Sequence, residues 1–114
     1  MKRITRMLAG AAIGLAMVAG EAMADDVRQR CEQSWPRDYR MQKHCIDRQA
    51  DAMRSLRVYL ENHGILEDLE CGQGVYENIF CDCSINWIDE YGADFVMLNH
   101  CVQQQLKAYR ELNP

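Results

Sequence analysis

The chain has few of the residues that form turns and strands. Only two prolines and seven glycines occur in 114 residues. From residue 25 onward there is no threonine, no Asn-Gly or Asp-Gly turn, and no alternation of β-branched residues. The Gly-x-Ser-x-Gly turn that presents a hydrolase serine is also missing, as is the Cys-x-x-Cys of thiol oxidoreductases. These absences favour helices over strands and predict that the protein is not an enzyme.

Basic residues are missing from one long part of the chain. Residues 64–106, called the acidic segment below, contain eight acidic residues and no lysine or arginine. The eight are Glu67, Asp68, Glu70, Glu77, Asp82, Asp89, Glu90 and Asp94. Residues 25–63 contain eight basic and seven acidic residues. Because nucleic-acid binding needs clustered basic side chains opposite the phosphates, this balance excludes nucleic acid as a partner.

The first 24 residues have the features of a secretory signal peptide. Three basic residues precede an apolar run over residues 7–20, which is followed by Ala22-Met23-Ala24. The run is shorter than the ~20 residues that a membrane-spanning helix needs, and small-x-small is the pattern before a signal-peptidase cut. We predict cleavage after Ala24, a single mature domain over 25–114 without a membrane span, and a periplasmic or secreted location.

Six cysteines lie beyond the predicted cleavage site, at Cys31, Cys45, Cys71, Cys81, Cys83 and Cys101. An even number in a small exported domain predicts three disulfides, since its core alone gives little stability. Cys81 and Cys83 would point about 200° apart on a helix, so they should bond to different partners. We predict that Cys31 bonds to Cys45. Cys71 and Cys101 then share Cys81 and Cys83, in an order that the sequence leaves open.

Apolar residues recur at helical spacing in one long stretch before the acidic segment. This stripe predicts a helix over 37–62. Pro36 suits its first turn and Gly64 its carboxyl end. The members of the stripe are Tyr39, Ile46, Met53, Leu56 and Leu60.

A second apolar stripe predicts a helix over 93–112, through Phe95, Leu98, Val102, Leu106, Tyr109 and Leu112. The same spacing extends backward to Cys81, so a further helix is expected over 75–90, with a break at Gly92. A short helix over 26–34 would carry Cys31. The predicted fold is all-α, a small disulfide-stapled bundle of three or four helices.

One group of residues has an alternative chemistry. Cys81, Cys83 and Cys101, together with His100, could supply thiolate and imidazole ligands for copper or zinc. Zinc sites usually repeat pairs of ligands two to four residues apart, whereas Cys-x-Cys occurs here once. Structural disulfides are therefore the preferred interpretation, and no cofactor is expected.

The acidic segment also contains the candidate interaction residues Trp87, Asp89, Glu90 and Asp94. A tryptophan beside carboxylates is a typical binding hot spot, and a strongly acidic surface attracts cationic partners over long distances. A solvated surface without a partner and a tryptophan within the core are the simpler interpretations. The resulting hypothesis is a small, exported, non-enzymatic binding or modulating protein that engages a cationic exported protein through residues 64–106. Periplasmic copper or zinc binding is the alternative.

Overall fold

The computed structural model describes residues 21–90 and 92–114. Almost all of the predicted signal peptide lies outside these residues. The described chain forms four helices and one two-stranded hairpin, which confirms the predicted helical bundle. In chain order the elements are α1 (Glu21–Ser34), α2 (Tyr39–Asn62), α3 (Val75–Trp87), β1 (Ile88–Asp89), β2 (Gly92–Ala93) and α4 (Phe95–Leu112). Within the described residues, no helix is long and apolar enough to cross a membrane.

Helix α2 begins two residues later than predicted, at Tyr39. Its N-cap is Asp38, whose carboxylate accepts a hydrogen bond from the backbone N–H of Met41 at 3.2 Å. The prediction that Pro36 lies in the first turn is therefore wrong, because this side-chain cap sets the start of the helix. The carboxyl end agrees with the prediction, since Gly64 follows the helix with a φ of +67° that glycine adopts readily.

The apolar core lies where α4 packs against α2 and α3, and α1 packs against α2. Phe95, Leu98 and Val102 of α4 are completely buried, as the second stripe predicts. On α2, Leu56 and Leu60 are completely buried, but Tyr39 is 74% exposed. Tyr39 does not reach the core because it lies at the first residue of the helix, beside an exposed loop.

All six cysteines form disulfides. Cys31–Cys45 joins α1 to α2, as predicted. Cys81 and Cys83 have different partners, also as predicted. Cys71–Cys81 ties the loop before α3 to that helix, and Cys83–Cys101 joins α3 to α4. Three disulfides in a chain of this size are typical of proteins from an oxidising, extracellular environment.

A short antiparallel hairpin separates α3 from α4. Ile88 pairs with Ala93, and Asp89 pairs with Gly92. The sequence predicts a break at Gly92 but no strands, and it extends α3 to residue 90 instead of Trp87. Strands of two residues are too short for a periodic pattern. The break itself is confirmed, since Gly92 has a φ of +92°, which an L side chain rarely adopts.

Candidate functional site

Two of the candidate interaction residues, Asp89 and Asp94, contact a single arginine from α1. Nη2 of Arg30 donates to Oδ1 of Asp89 at 2.7 Å and to the carbonyl oxygen of Gly92 at 3.1 Å. Nη1 of the same guanidinium lies 3.9 Å from Oδ2 of Asp94. The Arg30 side chain is 15% exposed. Arg30 therefore holds the hairpin and the start of α4 against α1.

Asp94 also has a second structural role, as the N-cap of α4. Its Oδ1 accepts from the backbone N–H of Met97 at 3.3 Å and from Nε2 of Gln49 at 3.0 Å. The buried Gln49 amide completes the contact, since its Oε1 accepts from the backbone N–H of Phe95 at 2.7 Å. With these contacts Asp94 is fixed within the fold and is poorly placed to bind a partner.

The other two candidates, Trp87 and Glu90, have different surroundings. Trp87 ends α3 and packs, partly buried, against the core. Glu90 is exposed in the connection between the two strands. Four residues of the acidic segment share this character of exposed carboxylates that form no ion pair with the described residues. They are Glu67, Asp68, Asp82 and Glu90.

A groove of about 360 Å³ runs between α3 and α4. Asn78, Asp82 and Asn86 lie four residues apart on one face of α3 and line it. Two apolar residues of α3 and three residues of α4 complete the lining beside Cys83; they are Val75, Ile79, Cys101, Gln105 and Tyr109. Asp82 is the one charged residue of this lining. The groove thus combines one carboxylate with amides and apolar groups around the Cys83–Cys101 disulfide.

Aromatic rings pack at the end of the groove where Tyr109 lies. The rings of Tyr109 and Tyr76 meet edge to face, with 6.1 Å between their centroids. On Tyr76 the ring of His63 is stacked at 3.9 Å, and Tyr59 lies 4.8 Å from the same imidazole. The hydroxyl of Tyr59 donates to the carbonyl oxygen of Tyr76 at 2.7 Å. This cluster joins the end of α2 to the start of α3 and the last turns of α4.

Burial and one cation shift two pKa values in this cluster. Burial raises the pKa of the Tyr59 hydroxyl well above its ordinary value, so it stays a neutral donor. Burial, and next the positive charge of Arg110, lower the pKa of His63. His63 is therefore stacked as a neutral imidazole at neutral pH.

The cysteines that the metal hypothesis requires are not free thiols. Cys81, Cys83 and Cys101 are all in disulfide bonds, and a disulfide sulfur is not the thiolate that binds copper or zinc. His100 is exposed on α4. Among the described residues, no group of three histidine, cysteine, aspartate or glutamate side chains is arranged to hold a metal ion.

No protein-family model, curated protein or solved structure matches the chain.

Sequence reasoning missed two kinds of residue at this site. Arg30 and Gln49 have no local signal, because their partners lie 45 or more positions away along the chain. The groove does have a local signal, since Asn78, Asp82 and Asn86 repeat every four residues along a predicted helix. Their counterparts on α4, Gln105 and Tyr109, are also four residues apart.

Proposed function

We propose that the protein is a small, exported, non-enzymatic binding or modulating protein that engages a cationic exported protein through its acidic segment. The predicted signal peptide would direct it to the periplasm or out of the cell. The observation that carries the proposal is the uncompensated charge of residues 64–106. Four exposed carboxylates there form no ion pair with the described residues.

The source of the compensating charge supports this proposal. The acidic segment contains no lysine or arginine, and Arg30 reaches it from α1 to contact Asp89 and Asp94. Those two carboxylates act within the fold, whereas Glu67, Asp68, Asp82 and Glu90 face solvent. Clustered charge of one sign raises the rate at which an oppositely charged protein associates, and salt weakens the effect.

The groove between α3 and α4 is the part of this surface best suited to a specific contact. A lysine or arginine of the partner could pair with Asp82, while the amides of Asn78 and Asn86 offer donors and acceptors on either side. The aliphatic stem of that lysine or arginine would lie along Val75 and Ile79. Such a combination of polar and apolar contacts favours a basic side chain over a simple cation.

Capture from the exported fraction tests the proposal. Immobilised wild-type protein and an Asp82→Asn/Glu90→Gln variant would be compared at about 0.05 M and 0.5 M salt, where the screening length falls severalfold. The proteins retained by each would be identified by mass spectrometry. We expect the wild type to retain a basic protein at low salt. High salt should release this protein from the wild type, and the variant should not retain it.

The matched control is Glu32→Gln/Glu111→Gln. It removes the same charge from two exposed carboxylates outside the acidic segment, of which Glu32 is paired with Arg28. It should retain the partner nearly as well as the wild type. The proposal fails if the retained proteins are not basic, or if the two double variants lose them equally.

A further inference from the structure

The connection between α1 and α2, together with the adjoining ends of the two helices, is the most exposed continuous part of the described chain. Every residue from Glu32 to Arg40 is exposed. The disulfide between Cys31, which is completely buried, and Cys45 closes this stretch at its base. We call residues 32–44 the stapled loop; it comprises the end of α1, the connection between the helices and the first turns of α2. It extends from the core and contributes little to it.

The stapled loop contains two large aromatic side chains that the core does not use. Trp35 is 41% exposed and Tyr39 is 74% exposed. The other aromatic residues whose side chains the structure describes are buried or partly buried; they are Tyr59, Tyr76, Phe80, Trp87, Phe95 and Tyr109. The two exposed rings therefore both belong to the stapled loop, Trp35 in the connection and Tyr39 at the first residue of α2, instead of being scattered along the chain.

The charge of the stapled loop is positive, in contrast to the acidic segment. Arg37 and Arg40 are exposed and form no ion pair with the described residues. The nearby carboxylate of Asp38 is occupied as the N-cap of α2. Lys43 is paired with Asp47 at 3.0 Å. The stapled loop thus contains two exposed guanidinium groups as well as two exposed aromatic rings.

Hydrogen bonds hold the backbone of this loop in one conformation. The carbonyl oxygen of Trp35 accepts from the backbone N–H of Asp38 at 3.2 Å and from Nε2 of Gln42 at 2.8 Å. The backbone N–H of Trp35 donates to the carbonyl oxygen of Cys31 at 3.0 Å. Arg37 has a φ of +62°, an unfavourable value for a residue other than glycine. A loop that is already ordered loses less entropy when it binds.

We propose that the stapled loop binds the surface of an anionic phospholipid bilayer. Tryptophan and tyrosine partition to the boundary between lipid headgroups and acyl chains, where one end of the ring is apolar and the other wet. Guanidinium groups donate pairs of hydrogen bonds to phosphate oxygens. Trp35 and Tyr39 would enter the headgroup region, and Arg37 and Arg40 would contact the phosphates.

Size and charge favour a bilayer over a protein as the partner of this loop. A standard protein interface buries about 800 Å² on each side and involves about 20–30 residues, which is more than the nine exposed residues 32–40 can supply alone. A bilayer needs no such matching surface, because a few aromatic and basic side chains suffice for weak, reversible attachment. Anionic lipids repel the acidic segment, so the protein would approach the bilayer with the stapled loop facing the lipids. This inference does not depend on the proposed function.

The two tryptophans of the chain allow a direct test. A Trp87→Phe variant leaves Trp35 as the one tryptophan, and a Trp35→Phe variant leaves Trp87. Protein purified from the exported fraction would be mixed with vesicles of phosphatidylglycerol and phosphatidylcholine, or of phosphatidylcholine alone. We expect Trp35 emission to move to shorter wavelength with vesicles that contain phosphatidylglycerol and to stay unchanged with vesicles of pure phosphatidylcholine. Trp87 emission should stay unchanged with both.

Vesicle sedimentation of an Arg37→Asn/Arg40→Gln variant measures the contribution of the guanidinium groups. Asparagine tolerates the positive φ at position 37. Each basic residue at an anionic bilayer strengthens binding about fivefold, so this variant should bind about 25-fold more weakly. The control Arg48→Gln/Lys107→Gln removes the same charge from exposed positions outside the loop, and should bind within about threefold of the wild type, the residual effect of net charge.

Three results would overturn the inference. The first is Trp35 emission that does not shift with anionic vesicles, and the second is binding that weakens equally in both double variants. The third is a stapled loop that retains a soluble acidic protein but does not bind vesicles. Urea unfolding midpoints of every variant, measured without lipid, ensure that a loss of binding is not a loss of fold.

Discussion

The two segments of the domain manage their charges in opposite ways. In residues 25–63, acidic and basic residues alternate closely and pair three or four residues apart along the helices. These pairs are Arg28–Glu32, Lys43–Asp47, Arg54–Asp51 and Arg57–Glu61. Residues 64–106 have no cation of their own, and Arg30 of α1 supplies the charge that holds Asp89 and Asp94. The first segment pairs four of its carboxylates within its own helices, whereas the second keeps an outward-facing negative charge.

The cross-links differ between the two segments as well. In the first segment, one disulfide joins α1 to α2, and α2 is a long helix of 24 residues. Two disulfides involve α3, which has 13 residues, and each begins at a cysteine near its middle. Short helices are marginal without tertiary support. The segment with unbalanced charge is therefore the one that depends most on covalent bonds and on a contact from the other segment.

Removing the disulfide between α3 and α4 should have the largest effect. A Cys83→Ala/Cys101→Ala variant should lose about 3 kcal/mol of unfolding free energy, because a closed loop of this size restrains the unfolded chain. Urea denaturation followed by circular dichroism measures it. A loss below about 1 kcal/mol would contradict the view that the acidic segment depends on its cross-links.

Replacing the buried amide that links the segments should rank second. Gln49→Leu leaves the backbone N–H of Phe95 without its acceptor and removes a donor from Asp94. An unsatisfied buried group costs about 1–3 kcal/mol, so we expect a loss of about 2 kcal/mol in the same assay. The control is Gln104→Leu, since this residue is exposed on α4. Equal stability of the two variants would show that the Gln49 amide does not stabilise the contact between the segments.

Arg30→Met should cost less, about 1–2 kcal/mol. Its guanidinium is largely buried, but the Asp89 side chain it contacts is 53% exposed, so solvent screens the pair. Arg28→Met breaks an exposed pair in the same helix and should cost less than about 0.5 kcal/mol. A double-mutant cycle between Arg30→Met and Asp89→Asn measures the coupling. Additive effects would show that Arg30 does not join the segments through Asp89.

The smallest expected effect is a pH dependence at His63. Its pKa in the folded protein lies below the ordinary value of 6.5 because of burial and the charge of Arg110. The unfolded chain therefore binds the proton more readily, and stability falls as the pH drops below 6.5 through the folded pKa. Comparing urea midpoints at pH 7.5 and 5 should show a smaller decrease for His63→Gln than for the wild type. His100→Gln, which alters an exposed imidazole, should leave the decrease unchanged.

Much of the fold could be predicted because its signals are local. The stripe through Phe95, Leu98 and Val102 places α4, and the predicted bond from Cys31 in the N-terminal segment to Cys45 in the following helix is confirmed. The opposed directions of Cys81 and Cys83 correctly exclude a bond between them. The order of their partners could not be chosen, because it depends on how α3 packs against α4.

The site was less predictable because its contacts join distant parts of the chain. In the sequence Gln49 has the character of a surface residue of α2, whereas in the fold its side chain is hydrogen-bonded to Asp94 and Phe95. The same contacts explain why Asp94, which composition placed on the acidic surface, caps a helix. Composition reports how much charge a segment has, whereas the fold decides which carboxylates are already engaged.

Calorimetric titration of the captured basic partner tests the central claim most directly. The wild type, Asp82→Asn/Glu90→Gln and Glu32→Gln/Glu111→Gln would each be titrated at about 0.05 M and 0.3 M salt, where screening differs strongly. We expect the higher salt concentration to weaken binding of the partner to the wild type by about tenfold or more. The acidic-segment variant should bind more weakly at low salt, and its affinity should depend less on salt. Equal affinity and equal salt dependence in all three proteins would contradict it.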